Sequence, residues 1–167
     1  LDAYQNFLTT MNDLRDDAST YTEIIVGLPG DTKAKHFQSL KDAVESGVIN
    51  VKSYQAMVLL GTEMASAQSR STHGLVTKHR IMAGGAGSYK VGATEIRAVE
   101  VQELIVANSS MTFEDYISCR KMDFILEAFY NQSPYSEILS SFASMGFSIF
   151  ELLEFVHSHP EFYPLSI

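Results

Sequence analysis

At 167 residues, with 46% apolar residues and 18 aromatic side chains, the chain can bury a core of one compact domain or two small units, which excludes a disordered polymer. No apolar run approaches the roughly 20 residues that cross a bilayer, so no membrane partner is expected. The net charge of −8 is concentrated between Thr112 and Ile167, where eight acids face only Arg120 and Lys121, and such a surface repels a phosphate backbone and excludes nucleic acid.

In chain order, Asp2 to Arg15 places Tyr4, Phe7, Leu8, Met11 and Leu14 at helical spacing and predicts an amphipathic helix. After the polar linker Asp16 to Thr20, the β-branched run Glu23-Ile24-Ile25-Val26 reads as a buried strand that ends at the turn Gly27-Leu28-Pro29-Gly30. Asp31 or Thr32 can cap a helix through Phe37, Leu40 and Val44, stopped by Gly47. A second strand is expected over Val48 to Leu60, then Gly61 and a short helix capped by Thr62.

Residues 70 to 110 give mixed signals: Met82 to Gly87 reads as a flexible hinge, and Val99 to Ala107 fits strand and helix alike. Thr112 with Asp115 then opens a helix to about Tyr130, Ser133-Pro134 opens another that closes near Gly146, and Ser148 with Glu151 caps a third that Pro160 ends. The expected fold class is α/β: a partial parallel (βα) barrel segment, a mixed region and a C-terminal helical bundle. The corresponding divisions are residues 1–66, 67–111 and 112–167.

The lone Cys119 excludes an intrachain disulfide and an all-cysteine metal site within these residues, and makes a reducing, cytoplasmic setting the default. It reads as a structural thiol. His157 and His159, with Glu154 or Glu161, have the residue types of a metal site, but neighbouring histidines at a helix end are ordinarily solvated. The strand end at Gly27 is where α/β folds place ligands, since glycine admits close approach and the following helix offers free N–H donors. An ordinary strand-to-helix turn has the same spacing.

The segment Ile24-Ile25-Val26-Gly27-Leu28-Pro29-Gly30-Asp31-Thr32 resembles the "IVGLPGET" stretch of radical S-adenosylmethionine iron–sulfur enzymes, especially the branch that often carries a cobalamin-binding domain. Tyr54 to Glu63 resembles that family's next strand, with Leu60 where a proline is usual before Gly61-Thr62. The resemblance implies an oxidoreductase that cleaves S-adenosylmethionine to a 5′-deoxyadenosyl radical acting on a small-molecule substrate. It places Ile25, Gly27 and Leu28 against the adenine and Asp31 near the family's acidic position, while Glu23 stands where the family has a glycine. Asp31 is equally an acidic helix cap.

Tyr54, Gln55 and Met57 are the substrate-side candidates. The family's C-x-x-x-C-x-x-C motif for a 4Fe-4S cluster has no counterpart in these residues. With Leu1 in first place, the chain therefore reads as a C-terminal piece, inactive alone and binding no cofactor by itself. Its expected partners are the remainder of the same chain, which would hold the cluster, S-adenosylmethionine and, in part of the family, cobalamin, and a second copy through exposed strand edges. The alternative from another class is a noncatalytic interaction or assembly module that docks through the acidic helices.

Overall fold

The computed structural model describes residues 6, 7, 10, 20–131 and 134–162. The order of elements is β1 (Tyr21–Val26), α1 (Lys33–Glu45), β2 (Asn50–Gln55), a 3-10 turn (Glu63–Ala65), α2 (Ala67–His73), β3 (Val76–Val91), β4 (Thr94–Ala107), α3 (Phe113–Phe129), α4 (Ser136–Ser144), α5 (Ile149–Ser158) and a 3-10 turn (Pro160–Phe162). The fold is mixed α/β with two separate two-stranded sheets, β1–β2 and β3–β4, and no closed barrel is found among the described residues. No single helix among them is long and apolar enough to cross a membrane. Of the helix expected over Asp2 to Arg15, Asn6, Phe7 and Thr10 are described and are helical; its other residues lie outside the described set, as does nearly all of the expected linker at 16–20.

The elements group into two units. The first gathers the described residues of Leu1–Val26, Lys33–Tyr54 and Ile117–Ile167, and the second Gly27–Thr32 and Gln55–Tyr116. In the first, the 3.6-residue period of α1 turns Leu40, Ala43 and Val44 into a core with Val48, Val51, Met122, Ile125, Leu126, Phe150 and Leu153. Gly47, at φ +78°, lets the chain leave α1, a conformation that a Cβ would strain. Val51 of β2 bonds through both its N–H and its C=O to the side-chain amide of Asn131, at 2.8 and 2.9 Å. Asn50 turns the other way, its N–H donating to the Thr20 carbonyl at 3.1 Å. Asn131 thus fills a strand's place at Val51 on the outer edge of β2.

The cap of α5 follows from the sequence in one arm only. Ser148 Oγ accepts from the Glu151 N–H at 3.1 Å, as expected. It is Glu45, however, that accepts from Ser148 Oγ at 2.6 Å and from the Phe150 N–H at 3.0 Å. A carboxylate from α1 therefore meets the positive end of α5. Buried beneath, His36 Nε2 lies 2.9 Å from Asp123 Oδ1, while Arg120 donates to Asp123 Oδ2 at 2.8 Å. Cys119 is buried.

The second unit is built on the antiparallel β3–β4 hairpin, whose turn is Gly92-Ala93 with Gly92 at φ +63°. Two expectations are corrected here. The Met82 to Gly87 hinge is strand interrupted by a bulge: Ile81 pairs with Val101 and Ala86 with Val99, so Met82, Ala83, Gly84 and Gly85 stand opposite Glu100 alone. A Cβ at Gly85 would come within 3.0 Å of Glu100 Cβ, which is why the bulge needs glycine there. The second strand, expected to reach Leu60, stops at Gln55. Its continuation pairs with β4 instead: Ile105 donates to the Ala56 carbonyl and Val58 to the Glu103 carbonyl, both at 2.9 Å, around the bridge of Met57 to Leu104. Thr62 opens the 3-10 turn, and it is Ser66 that caps α2 through the Ser69 N–H at 3.1 Å. Ala56, Val58 and Ile105 form a small core with Met64, Ala65 and Leu75 around it.

Candidate functional site

The strand-end bend is a hydrogen-bonded turn. Gly27 has φ +91°, the Asp31 N–H donates to the Leu28 carbonyl at 3.0 Å, and Asp31 Oδ1 accepts from the Thr32 N–H at 2.8 Å. Asp31 is thus a local turn acceptor just ahead of α1. Gly27 is buried, and the space its missing side chain leaves is met by the Ile105 carbonyl oxygen, 3.3 Å from where a Cβ would stand, with Ala56 Cβ at 3.9 Å. The close approach at this glycine is made by the chain's own β4. Leu28 is 38% exposed, and Ile25, two residues before the bend, is 45% exposed.

Asn108 holds this bend, and the sequence reading missed it. Its side-chain N–H groups donate to the Gly27 and Leu28 carbonyls at 3.1 and 3.3 Å. Its Oδ1 accepts from the Ser110 and Met111 N–H groups at 2.9 and 3.1 Å and from Ser110 Oγ at 2.7 Å. One buried amide therefore ties the loop after β4 to the turn after β1. Asn108-Ser109-Ser110 could be recognised in sequence as an Asx turn; its partners 80 residues earlier could not.

The substrate-side candidates separate. Tyr54 is exposed at the end of β2. Gln55 is engaged at both ends: its Nε2 donates to Tyr116 Oη, and its Oε1 accepts from Arg80 Nη1 at 2.6 Å. Beside it, Phe113 stacks on Tyr116 with centroids 6.3 Å apart, and Lys78 Nζ lies 4.4 Å from the Phe113 centroid. Met57 lines a cavity of about 330 Å3 with Leu59, Leu60, Met82 and Glu100. Of the seven candidates, Gly27, Leu28, Asp31, Gln55 and Met57 belong to the second unit, and Ile25 and Tyr54 to the first.

A second missed group is ionic. Arg70 grips Glu103 with two parallel bonds of 2.6 and 2.7 Å, and Thr77 Oγ1 donates to the same carboxylate at 2.7 Å. The Arg70 guanidinium, then Thr77, hold the Glu103 carboxyl down at about 2, against the modest opposing effect of burial. The histidines are occupied otherwise than as ligands. His157 Nε2 lies 3.0 Å from the Ser118 carbonyl oxygen, and His159 Nδ1 lies 2.8 Å from the Phe155 carbonyl while its ring stacks on Phe155. No group of three His, Cys, Asp or Glu residues among the described residues is arranged to hold a metal ion.

Compared with known families and with curated proteins, the chain matches no family model and no curated protein.

Proposed function

We propose that this chain is the C-terminal portion of a radical S-adenosylmethionine iron–sulfur oxidoreductase, with β1–α1–β2 as late elements of a partial (βα) barrel and the helices after Thr112 as an accessory bundle. The observation that carries the reading is the ordered pair of segments Ile24 to Thr32 and Tyr54 to Glu63, which lie at the ends of two hydrogen-bonded strands joined by one helix. In such a parent protein a 4Fe-4S cluster with S-adenosylmethionine would supply the radical chemistry, and the cluster would be held by residues outside this chain. The cluster does not fit these residues, since Cys119 is single and buried.

The adenine fits in part. Ile25, in the first unit, is the exposed apolar group that would pack on its ring. Gly27 is filled from behind by Ile105, so its part is to form the bend that Leu28 and Asp31 continue. Asp31 fixes the turn, and Asn108 orients the carbonyls of Gly27 and Leu28. In the cluster-bearing parent protein, Ile25→Asp is expected to weaken S-adenosylmethionine binding about tenfold, a loss of about 1.4 kcal/mol. Calorimetric titration reads this directly, and an unchanged affinity would remove Ile25 from the adenine site.

A second reading is favoured by the exposed apolar side chains of the last helices, with Ile138, Met145, Phe147 and Phe155 all at least half exposed in an acidic region. On it, the region is a noncatalytic docking module. The parent sequence separates the two: cluster-spaced cysteines favour the enzyme, and their absence favours the module.

A further inference from the structure

Within the first unit, α1 and α5 border a cleft of about 690 Å3 that none of the adenine or substrate-side candidates lines. Its floor is aromatic. Phe37 lies edge-to-face with Phe150, centroids 6.4 Å apart, and with the ring of His157 at 5.3 Å. The α1 wall carries two cations. Lys33 Nζ lies 5.4 Å from the Phe37 centroid and has no ion-pair partner among the described residues. Lys41 meets Glu151 at 3.6 Å, but both side chains are well exposed, and such a pair is held weakly.

The α5 wall has the opposite character. A carbonyl oxygen only accepts, so the 3.0 Å contact to Ser118 puts the proton of His157 on Nε2 and leaves Nδ1 as an acceptor. Partial burial, with Lys121 and Lys33 nearby, favours that neutral ring. Glu154 adds a carboxylate on the same wall. One side of the cleft thus attracts a negative group, the other repels one, and an aromatic surface lies between.

We propose that this cleft binds a small aromatic anion: a planar ring bearing one carboxylate or phosphate, its ring against Phe37 and its charged group toward Lys33. Glu154 sets the direction, because a negative group at its end of the cleft would face a carboxylate.

The test is an NMR titration of the 167-residue chain with phenyl phosphate and benzoate, and with inorganic phosphate and benzyl alcohol as the charge without the ring and the ring without the charge. At least one aryl anion is expected to bind with a Kd on the order of 1 mM, shifting amides of Lys33 to Lys41 and of Glu154 to Ser158, with both controls weaker. If only phenyl phosphate binds the site takes an aryl phosphate, and if only benzoate binds it takes an aryl carboxylate. Lys33→Gln changes a half-buried side chain that has no ion-pair partner among the described residues, and should leave the spectrum folded while weakening binding about tenfold. Phe37→Leu, checked for folding in the same way, should abolish the preference for aryl over inorganic anions. The proposal fails if neither aryl anion shifts these amides at about 10 mM, if either control binds as well as the aryl anions, or if Lys33→Gln binds as tightly as the original chain.

Discussion

The two units are held together in different ways. In the first, ten buried apolar residues from α1, α3, α5, β2 and the turn before it form one cluster, so its stability is chiefly the removal of apolar surface from water. Among the described residues of the second, Ala56, Val58 and Ile105 form a small buried cluster and Leu104, Val106, Met111 and Tyr116 are buried as well, while the long hairpin leaves Ile81, Val91, Val99 and Val101 exposed. Directed polar contacts add to this smaller core: the ladder of β3 and β4, the Asn108 amide, and the Arg70, Glu103 and Thr77 group. An apolar core tolerates exchange among side chains of similar volume, whereas a polar tie fails when one partner is lost. The first unit should therefore respond to volume, and the second to hydrogen-bonding identity and pH.

The largest effect should come from emptying the apolar core. Leu126→Ala is expected to cost about 2–5 kcal/mol in urea denaturation followed by circular dichroism. Leu126→Met should cost less than about 1.5 kcal/mol. Equal losses in the two variants would mean that volume is not what this core selects.

Next comes Asn108→Ala, which strips partners from two carbonyls at the bend and two N–H groups after β4 at once. A loss of about 1–3 kcal/mol is expected, with faster amide hydrogen exchange at Asp31, Ser110 and Met111. Exchange unchanged at those amides would show that the turn holds without its clamp.

The smallest effect is a pH response confined to the hairpin. Glu103 is held at about 2 in the folded chain, below its usual 4.5. Its contribution to stability is therefore complete above about pH 4.5 and is lost as pH falls through about 2. The amides of Thr77 and Glu103 should lose exchange protection across that window. Glu103→Gln should remove this dependence, and a variant that keeps it would assign the acid response to another carboxyl.

Much of the first unit is legible in the sequence because its signals are local. The period of Leu40, Ala43 and Val44, the glycine stop at Gly47, and the cap Ser148 each lie within a turn or two of what they determine. The α3 helix from Phe113 follows its expected start closely. The candidate site was legible only as a glycine bend. That the bend is closed by Ile105 and clamped by Asn108 depends on chain segments 78 and 81 residues away from Gly27. The bulge at Met82 to Gly85 was hidden for a related reason: a glycine run is permissive, and only the fixed partner strand turns that permission into one geometry.

By itself the sequence determined α1, α3, α4 and α5, the turn at Gly27 and the acidic composition of the last third, since propensity, capping and charge act over a few residues. Tertiary structure decided where β2 hands over to the hairpin sheet at Ala56, which carboxylate caps α5, and which carbonyl fills the space at Gly27. Hydrogen-bond partners brought together by folding satisfy most buried polar groups from whatever is nearest in space, and distance along the chain places no limit on that choice.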